Sequence, residues 1–327
     1  MKKVIIVFTG GTIAMKIDNK THANVLAMSG EDILNMVPDL ENLAKIRYHN
    51  FSFVPGPHMT PEMMFELSRF IKKKLDDEGF DCAVVTHGTD TLEETAYLVD
   101  LTTRTRKPII FMGSMKSSSE LGWDGPANLV DSVYTAISDE AYDRGVLVVM
   151  NNEIHTAAQV TKTNTHSLDT FKSPDFGPIG FIDNNKAYFY HRYTKWQYID
   201  TETIDPNVDL IKTACGMDDR LIRFCVDSGT HGLVIEGMGR GNIPPKMVPG
   251  IEYALDKGIP VVLVSRCHNG KVLDSYGYPG AGKELTEKGV ILGDNLNGQK
   301  ARIKLMVALG ATRDMKRIKD IFEKNYY

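Results

Sequence analysis

The chain has little of what marks metal, redox, membrane or nucleic-acid proteins. Its four cysteines, Cys82, Cys215, Cys225 and Cys267, are scattered without a C-x-x-C pair, so they are expected to be buried free thiols rather than disulfides or metal ligands. No H-E-x-x-H or comparable spacing occurs, and no metal is expected. Lys and Arg number 38 against 42 Asp and Glu, a net charge of −4 with no basic block, which argues against a nucleic-acid partner. No segment approaches the roughly 18 apolar residues of a membrane span. The opening run Val4-Ile5-Ile6-Val7-Phe8 is five residues, shorter than the roughly 7–15 of a signal-peptide core. It leads directly into a threonine loop, and reads as the first buried strand of a cytoplasmic protein without membrane attachment. Low-complexity stretches and short repeats are also missing.

What is present is the make-up of a globular protein. The 327 residues, 42% apolar and 24% charged, suffice for one large or two ordinary domains with real cores. Strand-like and helix-like segments alternate. Lys3 to Phe8, Cys82 to Thr86, Pro108 to Met112 and Gly145 to Met150 read as strands. Between them, Ser29 with Asp32 three residues on opens one helix. Thr60-Pro61 opens another, with apolar Met64, Leu67, Ile71 and Leu75 on one face. Thr91 to Glu94 reads as a capping box starting a third, and Pro126 to Glu140 as a fourth. This rhythm predicts a mostly parallel sheet covered on both faces. The expectation is an α/β fold with a larger N-terminal domain over 1–195, a polar linker over 196–207 and a smaller C-terminal α/β domain over 208–327.

Two threonine loops carry the chemistry. Thr12 lies in Phe8-Thr9-Gly10-Gly11-Thr12-Ile13-Ala14 and Thr89 in Val85-Thr86-His87-Gly88-Thr89-Asp90-Thr91. Each follows a glycine just past an apolar, β-branched run, at the strand ends where α/β sheets bind ligands. A threonine so placed exposes both its hydroxyl and its N–H, which suits a nucleophile that must also hold an oxyanion. A lone threonine after glycine is more often a turn or cap residue, but two loops reinforce each other. Thr161-Lys162-Thr163-Asn164-Thr165 adds a lysine. An amine serves as base only when its pKa is lowered from about 10.4, and a carboxylate opposes that. Asp90 is therefore read as an orienting group and a ligand for a substrate amine, with a plain Lys162–Asp90 ion pair as the alternative.

These segments resemble the bacterial-type L-asparaginase family, whose signatures are a T-G-G-T-I-A run near the N-terminus and an H-G-T-D-T-x-E-E-T-A run about eighty residues later. The likeness continues through Gly145 to Met150, Val160 to Thr165, Thr170-Phe171-Lys172-Ser173 and Gly298-Gln299-Lys300-Ala301-Arg302. The resemblance implies an amide hydrolase that converts L-asparagine to L-aspartate and ammonia without a cofactor. It makes Thr12 the nucleophile of an acyl-threonine intermediate, with Thr89, Asp90 and Lys162 completing the catalytic group. It assigns substrate contacts to Gly11 and Gly88, to Gly56 and Pro57 near the α-carboxylate, and to Ser114, whose carbonyl meets the leaving ammonia. Asn242 would reach the substrate's polar end from the second domain of a partner copy, implying a homo-oligomer, dimer or tetramer. The loop Gly237 to Asn242 has its glycines at positions one, three and five, so it fails the dinucleotide fingerprint.

The sequence departs from the family at two places. No tyrosine stands ten to thirteen residues after Thr12, where the stretch reads His22-Ala23-Asn24-Val25-Leu26, and a glycine, Gly56, replaces the usual carboxylate-binding serine. Tyr276, in the Gly-rich stretch Tyr276 to Gly282, is a candidate substitute phenol. Alternatives to the asparaginase reading are a glutaminase-asparaginase, a hydrolase of another small ω-amide, or a catalytically weak amino-acid-binding homologue. His87 is read as structural.

Overall fold

The computed structural model describes residues 1–194 and 196–323, in two compact units, Met1–Thr194 and Lys195–Tyr327. Twelve strands belong to the first unit: β1 (Lys3–Gly10), β2 (Met15–Ile17), β3 (Asn24–Leu26), β4 (Lys45–Val54), β5 (Cys82–Thr86), β6 (Ile109–Met112), β7 (Val146–Met150), β8 (Glu153–Thr156), β9 (Thr161–Lys162), β10 (Phe171–Lys172), β11 (Gly180–Asp183) and β12 (Lys186–Phe189). Eight of them form one sheet in the order β12-β11-β8-β7-β6-β5-β1-β4. The run from β4 to β7 is parallel, and β8, β11 and β12 add antiparallel hairpin strands at one side.

Strand periodicity builds the two layers. On β1, Val4, Ile6 and Phe8 point into one core with Leu129, Val133 and Ala136 of the helix Gly125–Ile137. Ile5 and Val7 point into the other, against Leu67, Ile71 and Leu75 of Pro61–Asp76 and Leu92, Ala96 and Val99 of Leu92–Thr102. A strand buried on both faces must be apolar throughout, which is why β1, β5, β6 and β7 were legible as unbroken runs. The helix after Ser29 carries the expected capping box, with Ser29 and Asp32 bonded reciprocally.

The second unit holds β13 (Val208–Lys212), β14 (Gly232–Gly237), β15 (Val261–Ser265) and β16 (Ile291–Leu292), all parallel and in sequence order. Helices Arg220–Asp227 and Val248–Asp256 cover one face through Ile222, Val226, Ile251 and Ala254. The almost wholly buried helix Gly298–Ala311 packs on the sheet, where Leu305 and Leu309 lie over Gly232. The larger and smaller α/β units match the fold class expected from the sequence.

Two expectations are corrected. Thr91 is the N-cap of Leu92–Thr102 but makes no side-chain cap bond; its hydroxyl donates instead to Gly56 O at 2.9 Å, a tertiary partner outcompeting the local one. All four cysteines are free, yet only Cys82 is buried, while Cys225 is half-buried and Cys215 and Cys267 are exposed.

Candidate active site

Neighbouring parallel strands bring the two threonine loops together. Phe8 of β1 stands opposite Thr86 of β5, so the chain leaves both strands side by side. It leaves β1 through Gly11 at φ 79°, a conformation that costs glycine little and other residues more, and turns into the short helix Thr12–Ala14. Gly11 N–H donates to Val54 O at the end of β4 at 3.0 Å. A Cβ on Gly11 would lie 2.4 Å from Gly88 Cα, and one on Gly88 would lie 2.6 Å from Gly56 Cα. Ordinary carbon contacts need about 3.5–4.0 Å. The absence of side chains thus lets three backbones, arriving from β1, β4 and β5, touch in one place.

Thr12 and Thr89 each follow one of these touching glycines, Thr12 half-buried and Thr89 buried. The loop after β6 also packs here, since a Cβ on Gly113 would lie 3.0 Å from Thr89 Cγ2. Lys162 arrives on the two-residue strand β9, paired with β10 through Phe171. Its Nζ donates to Thr89 Oγ1 at 3.0 Å and to Asp90 Oδ1 at 2.7 Å. The lysine side chain is 16% exposed and the Asp90 side chain 58%, so the amine is sheltered while the carboxylate faces outward. Hydrogen-bond distance between an amine and a hydroxyl is what proton transfer requires.

Other expected residues lie close by or elsewhere. Gly56 is buried in the turn Gly56–His58 and accepts the Thr91 hydroxyl, whereas Pro57 is exposed. Ser114 is fully buried, its Oγ 2.7 Å from Asp124 Oδ1 and 2.5 Å from Lys116 O. Asp124 also accepts the N–H groups of Met115 and Lys116, at 3.0 Å each. That serine hydroxyl therefore braces the loop. Asn242 belongs to the second unit, where its backbone pairs with Met238 in a closed turn and its Oδ1 is buried without a hydrogen-bond partner among the described residues.

His87 is fully buried beside Phe111, and burial pushes its pKa down to about 4, only partly opposed by the hydrogen bond to Gly88 O. It is neutral at physiological pH. The stretch without a tyrosine runs from the turn into β3 of the β2–β3 hairpin, with Met15 opposite Leu26 and an exposed His22 at its turn. Ser118, through N–H and hydroxyl, and Ser119 bond this hairpin at Met15 O and Ile17 N. Sequence reasoning missed that brace. It also missed Glu93, a buried acid that accepts from Thr161 and Lys162. Among the described residues no group of three or more His, Cys, Asp or Glu could hold a metal, and no helix is long and apolar enough to cross a membrane.

Touching glycine loops, two threonines and a lysine at hydroxyl distance accord with what the sequence shares with known proteins: this chain belongs to the asparaginase family. Residues 3–195 match the family described as Asparaginase, N-terminal, and residues 207–322 match the Glutaminase/Asparaginase C-terminal domain. An L-asparaginase of Bacillus licheniformis is 38% identical over 321 residues, 98% of this chain and 99% of the relative. L-asparaginase 2 of Bacillus subtilis (strain 168) is 35% identical, spanning 99% of this chain and 87% of the relative. The crystal structure of a probable cytoplasmic L-asparaginase from Campylobacter jejuni has a TM-score of 0.88 at 33% identity, covering 98% of this chain and 99% of that one.

Proposed function

We propose that this chain hydrolyses L-asparagine to L-aspartate and ammonia. The Thr12 hydroxyl attacks the side-chain amide carbon, and N–H groups of the threonine loops hold the resulting oxyanion. Collapse breaks the C–N bond, the protonated nitrogen leaves as ammonia past the Ser114 carbonyl, and an acyl-threonine ester remains. Water then adds to the ester carbon and releases L-aspartate, restoring the Thr12 hydroxyl. Thr89, held by Lys162, positions and polarises that water, and the proton the water loses ends on the departing Thr12 oxygen. Asp90 receives the α-ammonium group, while Gly11, Gly56, Pro57 and Gly88, with Asn242 supplied by a partner copy, bind the rest of the substrate. The observation that carries this reading is the pair of Lys162 contacts, 3.0 Å to Thr89 and 2.7 Å to Asp90, beside the glycine contact from which Thr12 starts.

A cytoplasmic homo-oligomer, dimer or tetramer, belongs to the same proposal, with 196–207 as the linker. The wording of one structural relative, probable cytoplasmic L-asparaginase, supports the location. Glutaminase-asparaginase activity is a second reading, favoured by the description of the C-terminal match. Ammonia release from L-asparagine, D-asparagine, L-glutamine and small β-amides tests both. L-asparagine is expected to react fastest; equal rates with L-glutamine would establish the second reading. Calorimetric binding of L-asparagine with no ammonia released would instead identify a catalytically weak binding homologue.

A further inference from the structure

Glu93 stands in the first turn of the helix Leu92–Thr102 and is 4% exposed. Its Oε1 accepts from Thr161 Oγ1 at 3.0 Å and from Lys162 N at 3.3 Å. Both donors belong to β9, a strand of two residues whose ribbon partner β10 is equally short. So small a ribbon holds itself poorly in water. It needs an anchor, and a carboxylate at a helix N-terminus is electrostatically favoured there. From the same segment, Thr89 and Asp90 receive the Lys162 amino group. The five residues Thr89 to Glu93 therefore grip Lys162 at both ends, its main chain through Glu93 and its tip through Thr89 and Asp90.

We propose that Glu93 is a positioning residue for the hydrolytic reaction: it fixes the Lys162 main chain so that the amino group meets Thr89. The inference rests on the reading of Lys162 and Thr89 as catalytic partners. A lysine side chain is long and loses much rotamer entropy on ordering, so fixing its Cα narrows where its tip can rest. In this role Glu93 acts through Lys162.

The test compares wild type with Glu93→Ala, Glu93→Gln, Lys162→Met and the double variant Glu93→Ala/Lys162→Met. It reads ammonia release, thermal melting, and the NMR signal of the Lys162 side chain in lysine-labelled protein, identified by its loss in Lys162→Met. Glu93→Ala is expected to lower kcat roughly 10- to 100-fold with KM changed less than about threefold, as displacement of a working group does. Glu93→Gln keeps an acceptor oxygen and should stay within about fivefold of wild type. The double variant should be no slower than Lys162→Met alone within about twofold, because residues acting as one unit are not additive. The Lys162 signal should shift in Glu93→Ala. Unchanged kcat in folded Glu93→Ala, losses that multiply in the double variant, or an unmoved Lys162 signal would each overturn the proposal. If Glu93→Ala does not fold, Thr161→Val removes one of the two donors, and its Lys162 signal decides: a shift supports the proposal and no shift overturns it. A wild-type protein that releases no ammonia defeats the asparaginase reading, and the NMR comparison then decides the positioning claim alone.

Discussion

Both units place glycine-bearing loops just beyond parallel strands, but they use glycine differently. In the first unit Gly11, Gly56 and Gly88 follow three different strands, and their backbones come into contact. In the second unit the run Gly237 to Asn242 closes on itself, with Met238 and Asn242 exchanging hydrogen bonds of 2.7 and 2.9 Å. A self-closed turn presents only its own six residues. Convergent loops assemble groups that are far apart in sequence, which is how Thr12, Thr89 and Asp90 come to share a neighbourhood. The same topology thus yields a self-closed turn in one unit and the proposed reaction centre in the other.

The sharpest way to break this contrast is to remove the group that the convergence serves. Thr12→Ala should leave a folded protein whose amidase activity is lower by roughly 10³ or more. Near wild-type turnover by the purified variant would dismiss Thr12 as the nucleophile. Next in size is damage to the convergence itself. In Gly88→Ala the new methyl meets main-chain atoms of Gly56 at 2.6 and 2.8 Å, which should destabilise by about 3 kcal/mol, the upper range for overpacking. The matched change Gly239→Ala, at φ 52° in open space, should cost only about 1–2 kcal/mol for its left-handed backbone. Denaturant melts compare the two, and equal losses would erase the distinction drawn between the units.

The smallest effect probes whether the second unit contributes a working hydroxyl. Tyr276 is exposed, its ring centroid 5.8 Å from that of Tyr278, and the β2–β3 hairpin has no tyrosine of its own. Tyr276→Phe should lower kcat/KM roughly fivefold, the loss of one hydrogen bond of about 1 kcal/mol. An unchanged value would end its candidacy as the substitute phenol and turn attention to Tyr278 or His22.

What the sequence revealed and concealed follows from where each segment finds its partners. β1, β5, β6 and β7 are enclosed on both faces, so their own residues declare them. The longest strand, β4, whose ten residues are all exposed or half-buried, lacks such a run. It sits at the sheet edge beside β1, and its pairing there, not its apolar pattern, marks it as a strand. Because β4 was hidden, so was the route by which Gly56 reaches Gly88. Thr91 was misread, and Glu93 beside it missed, for a related reason: a motif beginning a helix looks like a cap, while their actual partners, Gly56 and Thr161, lie 35 and 68 residues away. The Lys162–Asp90 pairing was legible because both residues sit in long motifs with chemically expressive neighbours.

The contact between Gly11 and Gly88 also limits how this region can vary. An obstructing methyl elsewhere in a protein is often relieved when a neighbour mutates to something smaller. Here the atoms in the way are main-chain atoms of Gly88, His87 and Gly56, which no side-chain change can remove. Substitutions at 11 or 88 therefore have no side-chain suppressor at the touching positions. Any second-site rescue has to move a whole strand, so a genetic search for suppressors should return changes beneath β1, β4 or β5 and none at the contact.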